Sequence, residues 1–306
     1  MDQPDAQTES IFRHLAYRNS INFYAKKMVT GVVLTNQTDS EIGASVQSWL
    51  NELEAGKGIE PVNLPESQNG NVEPISIKRA LLLVGSPRTR KSTSNSLGGY
   101  LFEQLGKHNI QTEAIYIHTT MYSAERTKAM LDAVDAADLV LLAFPLYVDS
   151  LPAPVMNALE CIAAHRSAQS ETKPHQLFAA ISNCGFPEPN HNATALTICE
   201  NFARLTNFNW VGSLALGAGE GMVHGMPLNE LDGRVIPLKK ALDLSAESLA
   251  QGMAIPSEAK ALLAKPFVPG WLYRAMGVYG WSQQAKQYHA EKISKRQPYK
   301  VAKIGE

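Results

Sequence analysis

From residue 75 onward, five strand-like runs alternate with five helical patterns. The runs predict strands over 77–85, 111–117, 138–145, 177–183 and 210–217. Apolar residues at helical spacing predict helices over 93–107, 124–136, 152–165, 192–206 and 236–252. A run such as Leu81-Leu82-Leu83-Val84 has no polar alternation, so both of its faces must be buried. Repeated β–α units of this kind dictate an α/β fold, an open five-stranded parallel sheet with helices on both faces. Ligands of such sheets lie beyond the carboxyl ends of the strands, where the winding direction reverses. The loops after the first, third and fourth strands should therefore converge on one site.

The first loop leaves Ala80-Leu81-Leu82-Leu83-Val84 at Gly85. It runs through Ser86-Pro87-Arg88-Thr89-Arg90-Lys91 to Ser92-Thr93-Ser94, where a helical pattern opens (Leu97, Leu101, Leu105). A helix start offers unpaired backbone N–H groups and the positive end of its dipole. Hydroxyls and basic side chains add donors, and together these hold phosphate. A plainer role fits too, with Ser92 an N-cap and the three basic residues a solvated loop. The loop nearly spells the phosphate loop of nucleoside triphosphatases, but Arg90 stands where that motif needs its second glycine. A Cβ there obstructs a backbone that must wrap the phosphates. The third strand also ends in Phe144-Pro145 where a magnesium-binding aspartate belongs. A dinucleotide site fares no better. No G-x-G-x-x-G follows the first strand, and the second ends at Ile117-His118-Thr119-Thr120 without an acid for a ribose. Gly217, Gly219, Gly221 and Gly225 miss that spacing and read as a mobile loop rim. What remains is a site for a single phosphate.

The second loop, Phe144-Pro145-Leu146-Tyr147-Val148-Asp149-Ser150-Leu151-Pro152, is aromatic and stiffened by proline. It can wall a flat ring, or simply be a turn on which Tyr147 packs. In the third, Ser182-Asn183-Cys184-Gly185-Phe186-Pro187-Glu188, Gly185 lets backbone N–H groups approach a ring edge and Asn183 can donate or accept. Cys184 reads first as a small buried thiol. Phosphate at the first loop and a planar heterocycle between the other two fit flavin mononucleotide (FMN).

Net charge is −1, so no global basic field invites nucleic acid. Cys161, Cys184 and Cys199 are spaced for neither a disulfide framework nor a metal or iron–sulfur ligand set. A reducing, cytoplasmic compartment is expected. The start, Met1-Asp2-Gln3-Pro4-Asp5, has no apolar signal region, and no run of about 18 apolar residues predicts a membrane span. The stretch 267–281 is the most apolar and aromatic, but Pro269, Gly270, Gly277 and Gly280 interrupt it; it reads as a docking or subunit-contact segment. Helical spacing is present at 11–34 and 42–53, and 65–74 reads as a linker.

From about 77 to 300 the chain resembles the flavodoxin-like, NAD(P)H-dependent FMN reductases, particularly bacterial flavodoxin-family oxidoreductases related to iron–sulfur flavoproteins. The matching pieces are Gly85-Ser86-Pro87-Arg88 with Ser92-Thr93-Ser94, the 145–152 loop, Asn183-Cys184-Gly185-Phe186-Pro187-Glu188, Gly233-Arg234 and the aromatic C-terminal segment. The cluster cysteines of the iron–sulfur relatives are absent, so no metal centre is implied. The resemblance implies that Ser86, Arg88, Ser92, Thr93 and Ser94 hold the FMN phosphate. Pro145, Leu146 and Tyr147 would flank the flavin ring, and Asn183, Cys184 and Gly185 would meet its pyrimidine edge. It further implies an oxidoreductase in which NADH or NADPH gives hydride to the flavin and a quinone, free flavin or other small acceptor takes the electrons. No side chain is then needed as a catalytic acid or base. A flavodoxin-like carrier without NAD(P)H activity, or a non-catalytic binding module, are the alternatives. The expected organisation is a helical N-terminal extension and linker (1–72), a flavodoxin-like FMN-binding domain (73–265) and a C-terminal helical extension (266–306), in a possible homodimer.

Overall fold

The computed structural model describes residues 76–169 and 175–290. The helical patterns at 11–34 and 42–53 and the linker at 65–74 lie outside the described residues. Strands β1 (Arg79–Val84), β2 (Gln111–Tyr116), β3 (Leu139–Pro145), β4 (Leu177–Asn183) and β5 (Asn209–Leu216) form one sheet. Every neighbouring pair is parallel, in the order β2-β1-β3-β4-β5. This is the doubly wound order of flavodoxin-like proteins, with the winding reversing between β1 and β3. Both expectations, of fold and of strand number, are borne out.

The crossovers are α1 (Thr93–Gly106), a short α2 (Ile117–Thr120) leading to α3 (Ala124–Ala136), α4 (Ala153–Ala168) and α5 (Ala193–Leu205). After β5 come a four-residue α6 (Gly219–Met222), α7 (Ile236–Ala250), α8 (Ser257–Leu263) and α9 (Gly270–Gln287). The short α2, α6 and α8 had no signature in the sequence, because fewer than about two turns cannot display a periodicity.

The unbroken apolar run of β1 is explained by its two covers. Ala80, Leu82 and Val84 pack with Leu97 and Leu101 of α1 and Leu242 of α7. Leu81 and Leu83 pack with Met130 of α3 and Val155 and Leu159 of α4. Each fully buried leucine contributes about 1.5–3 kcal/mol relative to an exposed one. β2, by contrast, is an edge strand, and Gln111, Thr112 and Glu113 are exposed there as edge residues usually are.

One glycine sets how close α1 comes to the sheet. A Cβ on Gly98 would stand 2.6 Å from Leu82 Cδ1 and 3.2 Å from Ala143 Cβ. The helix therefore lies directly on β1 and β3, and its N-terminus points at the place where the winding reverses. At the opposite end of the strands, Arg166 of α4 is buried. Its Nε donates to Thr206 O at 2.7 Å, a terminal nitrogen donates to Asn207 O at 3.3 Å and the other to Gln176 Oε1. The guanidinium also lies 3.9 Å from the ring centre of Phe208. Gln176 Nε2 in turn donates to Val134 O and Ala137 O at 2.7 and 2.8 Å.

Candidate functional site

Ser92 has the extended backbone of an N-cap. Its Oγ accepts from Asn95 N–H at 3.2 Å and donates to Thr89 O at 2.6 Å. Its carbonyl takes Ser96 N–H at 3.0 Å. The N–H groups of Thr93 and Ser94 are left to the first turn, where a helix has no acceptor of its own. So the plain reading of Ser92 as a cap is correct. Ser86, Ser92, Thr93 and Ser94 are all buried. Ser86 Oγ accepts from Arg88 N–H at 3.3 Å, tightening the loop.

Asn183, at the end of β4, joins the three loops. Its Nδ2 donates to Ser94 Oγ at 2.9 Å and to Phe144 O at 3.1 Å, while its carbonyl takes Leu146 N–H at 2.8 Å. Ser94 accepts in this bond and keeps its own O–H to give. Pro145 pairs with Asn183 as the last step of the β3–β4 ladder. Leu146 then packs on the core, and Tyr147 and Ser150 exchange N–H···O bonds at 2.9 and 3.0 Å. Between them Val148 and Asp149 both have positive φ, +49° and +57°, the signature of a type I′ hairpin. Tyr147 is half exposed at this tip, and Val148 is 95% exposed.

The third loop is closed on itself. Cys184 is buried, with its N–H on Leu216 O (3.0 Å), its carbonyl taken by Gly219 N–H (2.9 Å) and its Sγ facing Phe186 O (3.5 Å). Asn192 Nδ2 donates to the sulfur at 3.4 Å, and burial pushes the thiol pKa up. Such a thiol holds a loop together and is a poor nucleophile. Gly185 is exposed, and its carbonyl accepts from Tyr273 Oη at 2.7 Å.

The glycine-rich segment after β5 corrects the expectation of a mobile rim, because its glycines are packing positions. A Cβ on Gly217 would lie 2.2 Å from Pro187 O, and one on Gly225 2.6 Å from Lys91 O. One on Gly219 would stand 3.1 Å from Asn183 Oδ1 and 3.3 Å from Thr93 Cγ2. The segment is thus laid over the first and third loops, with Thr93 Oγ1 reaching Gly219 O at 3.5 Å. It also brings Glu220, which sequence reasoning missed. Arg88 makes a two-pronged ion pair with Glu220, one arm at 2.9 Å, and His224 Nδ1 lies 2.9 Å from the same carboxylate. The hydrogen bonds from Arg88 hold the Glu220 carboxyl below the usual carboxylate range and raise the guanidinium in return. The three basic residues therefore part company. Arg88 turns to Glu220, Arg90 lies over the Tyr116 ring at 5.4 Å, and Lys91 stays exposed. Tyr273 was the other omission. It belongs to α9, and its ring is 2.9 Å from where a Cβ on Gly221 would be.

The donor set suits a monoester phosphate: buried hydroxyls and first-turn N–H groups of a helix. The cradle is one that a Cβ at position 219 would crowd. The fold is of the flavodoxin-like class, and the start of α1 lies at the β1/β3 reversal. Residues 79–193, from β1 to the start of α5 and including all three loops, match the family described as NADPH-dependent FMN reductase. The resemblance read from those loops is borne out over that segment.

Among solved structures, the chain is similar to an FMN-dependent NADH-azoreductase from Bacillus anthracis in complex with FMN (11% identity, 56% of this chain and 100% of that one, TM-score 0.41). It is also similar to an NAD(P)H:quinone oxidoreductase from Methanothermobacter marburgensis (12%, 58% and 96%, TM-score 0.40). A flavodoxin, WrbA-like protein from Agrobacterium tumefaciens is a further example (14%, 44% and 76%, TM-score 0.34). No curated protein matches the chain.

Proposed function

We propose that this protein is an FMN-dependent oxidoreductase that uses NADH or NADPH to reduce a quinone, a free flavin or another small acceptor. The observation that carries the reading is the bridge from Asn183 to Ser94 and Phe144 O, which ties the helix start of α1 to the second and third loops. When bound, FMN would supply the chemistry, taking hydride from the nicotinamide and one further proton from solvent and passing two electrons with two protons to a quinone, which gives the hydroquinone. The chain's own task is to bind and orient. Thr93 and Ser94 hold the phosphate through hydroxyl and N–H donors, with Ser86 and Ser92 shaping the loop behind them. Tyr147 stands at the ring's flank with Pro145 and Leu146 beneath it, and Asn183 and Gly185 meet the polar edge. Cys184 supports that edge from behind. Arg88 shares its charge between Glu220 and the anion. No side chain serves as acid or base.

In this reading 73–265 is the FMN-binding domain, flanked by 1–72 and 266–306, in a reducing, cytoplasmic setting. The test is the absorbance spectrum of the purified chain, then acid release of the chromophore and anaerobic titration with NADH and NADPH. A flavin spectrum, FMN in the extract and bleaching by a nicotinamide are expected. FAD as the main species would refute the phosphate assignment. A yellow protein that neither nicotinamide bleaches would be an electron carrier.

A further inference from the structure

The helix α9 is fastened along one side and open on the rest, where Tyr279 and Met276 are exposed. On the fastened side, Tyr273 ties its first turns to the rim of the site, through Gly185 O and the flat face of Gly221. Also on the open part, Trp271, Val278, Trp281 and Tyr288 recur at intervals of seven, three and seven residues. That spacing puts them on a single stripe. They are 67, 60, 73 and 73% exposed, and no residue of α9 is buried. Exposed aromatic residues in such a row demand an occupant.

Charge says which kind. Within α9 the charged residues are Arg274 and Lys286, with no carboxylate, although the whole chain carries −1. A second copy would bring one basic helix against another, and like charges oppose that pairing. Trp and Tyr rings with basic residues beside them are what the lipid–water interface accommodates, and anionic headgroups attract the basic residues. Nor can the helix span: among the described residues no helix is long and apolar enough to cross a membrane. It can lie in the plane.

We infer that the outward face of α9 docks on an anionic lipid surface, with the site at its edge, so that the acceptor is an apolar quinone dissolved in the bilayer. The docking stands on the helix alone; the choice of acceptor rests on the functional reading above. Phe186, exposed next to the Gly185 that Tyr273 holds, adds apolar surface beside it.

The full chain is to be sedimented with vesicles of phosphatidylcholine alone and of phosphatidylcholine with 30% phosphatidylglycerol. Binding to the anionic vesicles at least about tenfold tighter than to the neutral ones, and weakening with salt, is expected. A W271S/W281S variant should lose about tenfold or more of that binding while keeping the wild-type flavin spectrum in solution. Equal binding to both compositions, or an unaffected double variant, would overturn the docking. So would sedimentation velocity that finds a dimer dissolved by the double substitution, since a second copy would then be the occupant. A colourless protein that still binds anionic vesicles would sink the flavin reading and leave the docking standing. A yellow, nicotinamide-bleached protein that ignores both vesicles would do the reverse.

Discussion

The two ends of the sheet are built on opposite terms. At the amino ends of the strands, the polar groups of the Arg166 cluster meet partners inside the fold. Asp138 Oδ2 likewise accepts from the N–H groups of Lys78 and Arg79 at 2.8 and 2.9 Å. Where the chain turns with positive φ there, it uses Asn109, His175 and Asn207, types that tolerate that backbone. At the carboxyl ends, positive φ falls on Thr89, Val148, Asp149, Ala218 and His224. A threonine and a valine are β-branched and pay steric strain in that region. The strained β-branched turns thus gather at the end where the three loops meet.

The largest effect should come from breaking the closed end. Arg166→Ala leaves Thr206 O, Asn207 O and Gln176 Oε1 without their donor, at about 1–3 kcal/mol for each buried group left unmet. A total loss of about 3–5 kcal/mol is expected in urea denaturation. FMN affinity of the remaining folded protein should hardly change; a tenfold loss there would show that the two ends are coupled.

Next in size is the phosphate grip proposed for the other end. Thr93→Ala with Ser94→Ala should weaken FMN binding by about 10–1,000-fold, about 1.4–4 kcal/mol. Arg90→Ala, whose side chain lies over Tyr116, should cost less than about tenfold, and less still in high salt. Titration of the apoprotein with FMN at two salt concentrations decides, and a larger loss at Arg90 would reverse the assignment.

Val148→Asn sharpens the contrast in the other direction. Asparagine accepts the backbone that valine resists, so the variant should be more stable by about 1 kcal/mol in the same urea assay. Destabilisation would mean that the exposed valine has a partner which relieves its strain.

The smallest effect is electrostatic. The Glu220 carboxyl has its pKa depressed in the folded protein, so its pairing with Arg88 stabilises the fold above the unfolded carboxylate value of about 4.3 and is lost as pH falls through the lower, folded value. Because both groups are substantially exposed, the difference between wild type and Glu220→Gln should stay under about 1 kcal/mol near pH 7 and vanish in strong acid. A difference that grew on acidification would contradict the pairing.

The strands and the long helices were legible because each buries apolar residues at its own period, and the three loops because their chemistry is local to a few consecutive residues. What escaped was nonlocal. Glu220 meets Arg88 across 132 positions, and Tyr273 meets Gly185 across 88; no spacing rule connects them. The glycines after β5 were visible, but sequence alone cannot separate a glycine that permits motion from one that permits contact. Gly217, Gly219 and Gly225 are of the second kind.

The Asn183 amide carries one more consequence, for the order in which this protein becomes itself. Its two donated bonds close chain separations of 89 and 39 residues, so they form only once β1, β3 and β4 are already side by side. If the site is the one proposed, cofactor capture would then be a late event, confined to chains whose central strands have assembled. Because FMN would bind that assembled form and not its precursors, a concentration a hundred times the Kd would add about 2.7 kcal/mol to the folded state. FMN supply would set not only how active the protein is but how much of it survives proteolysis.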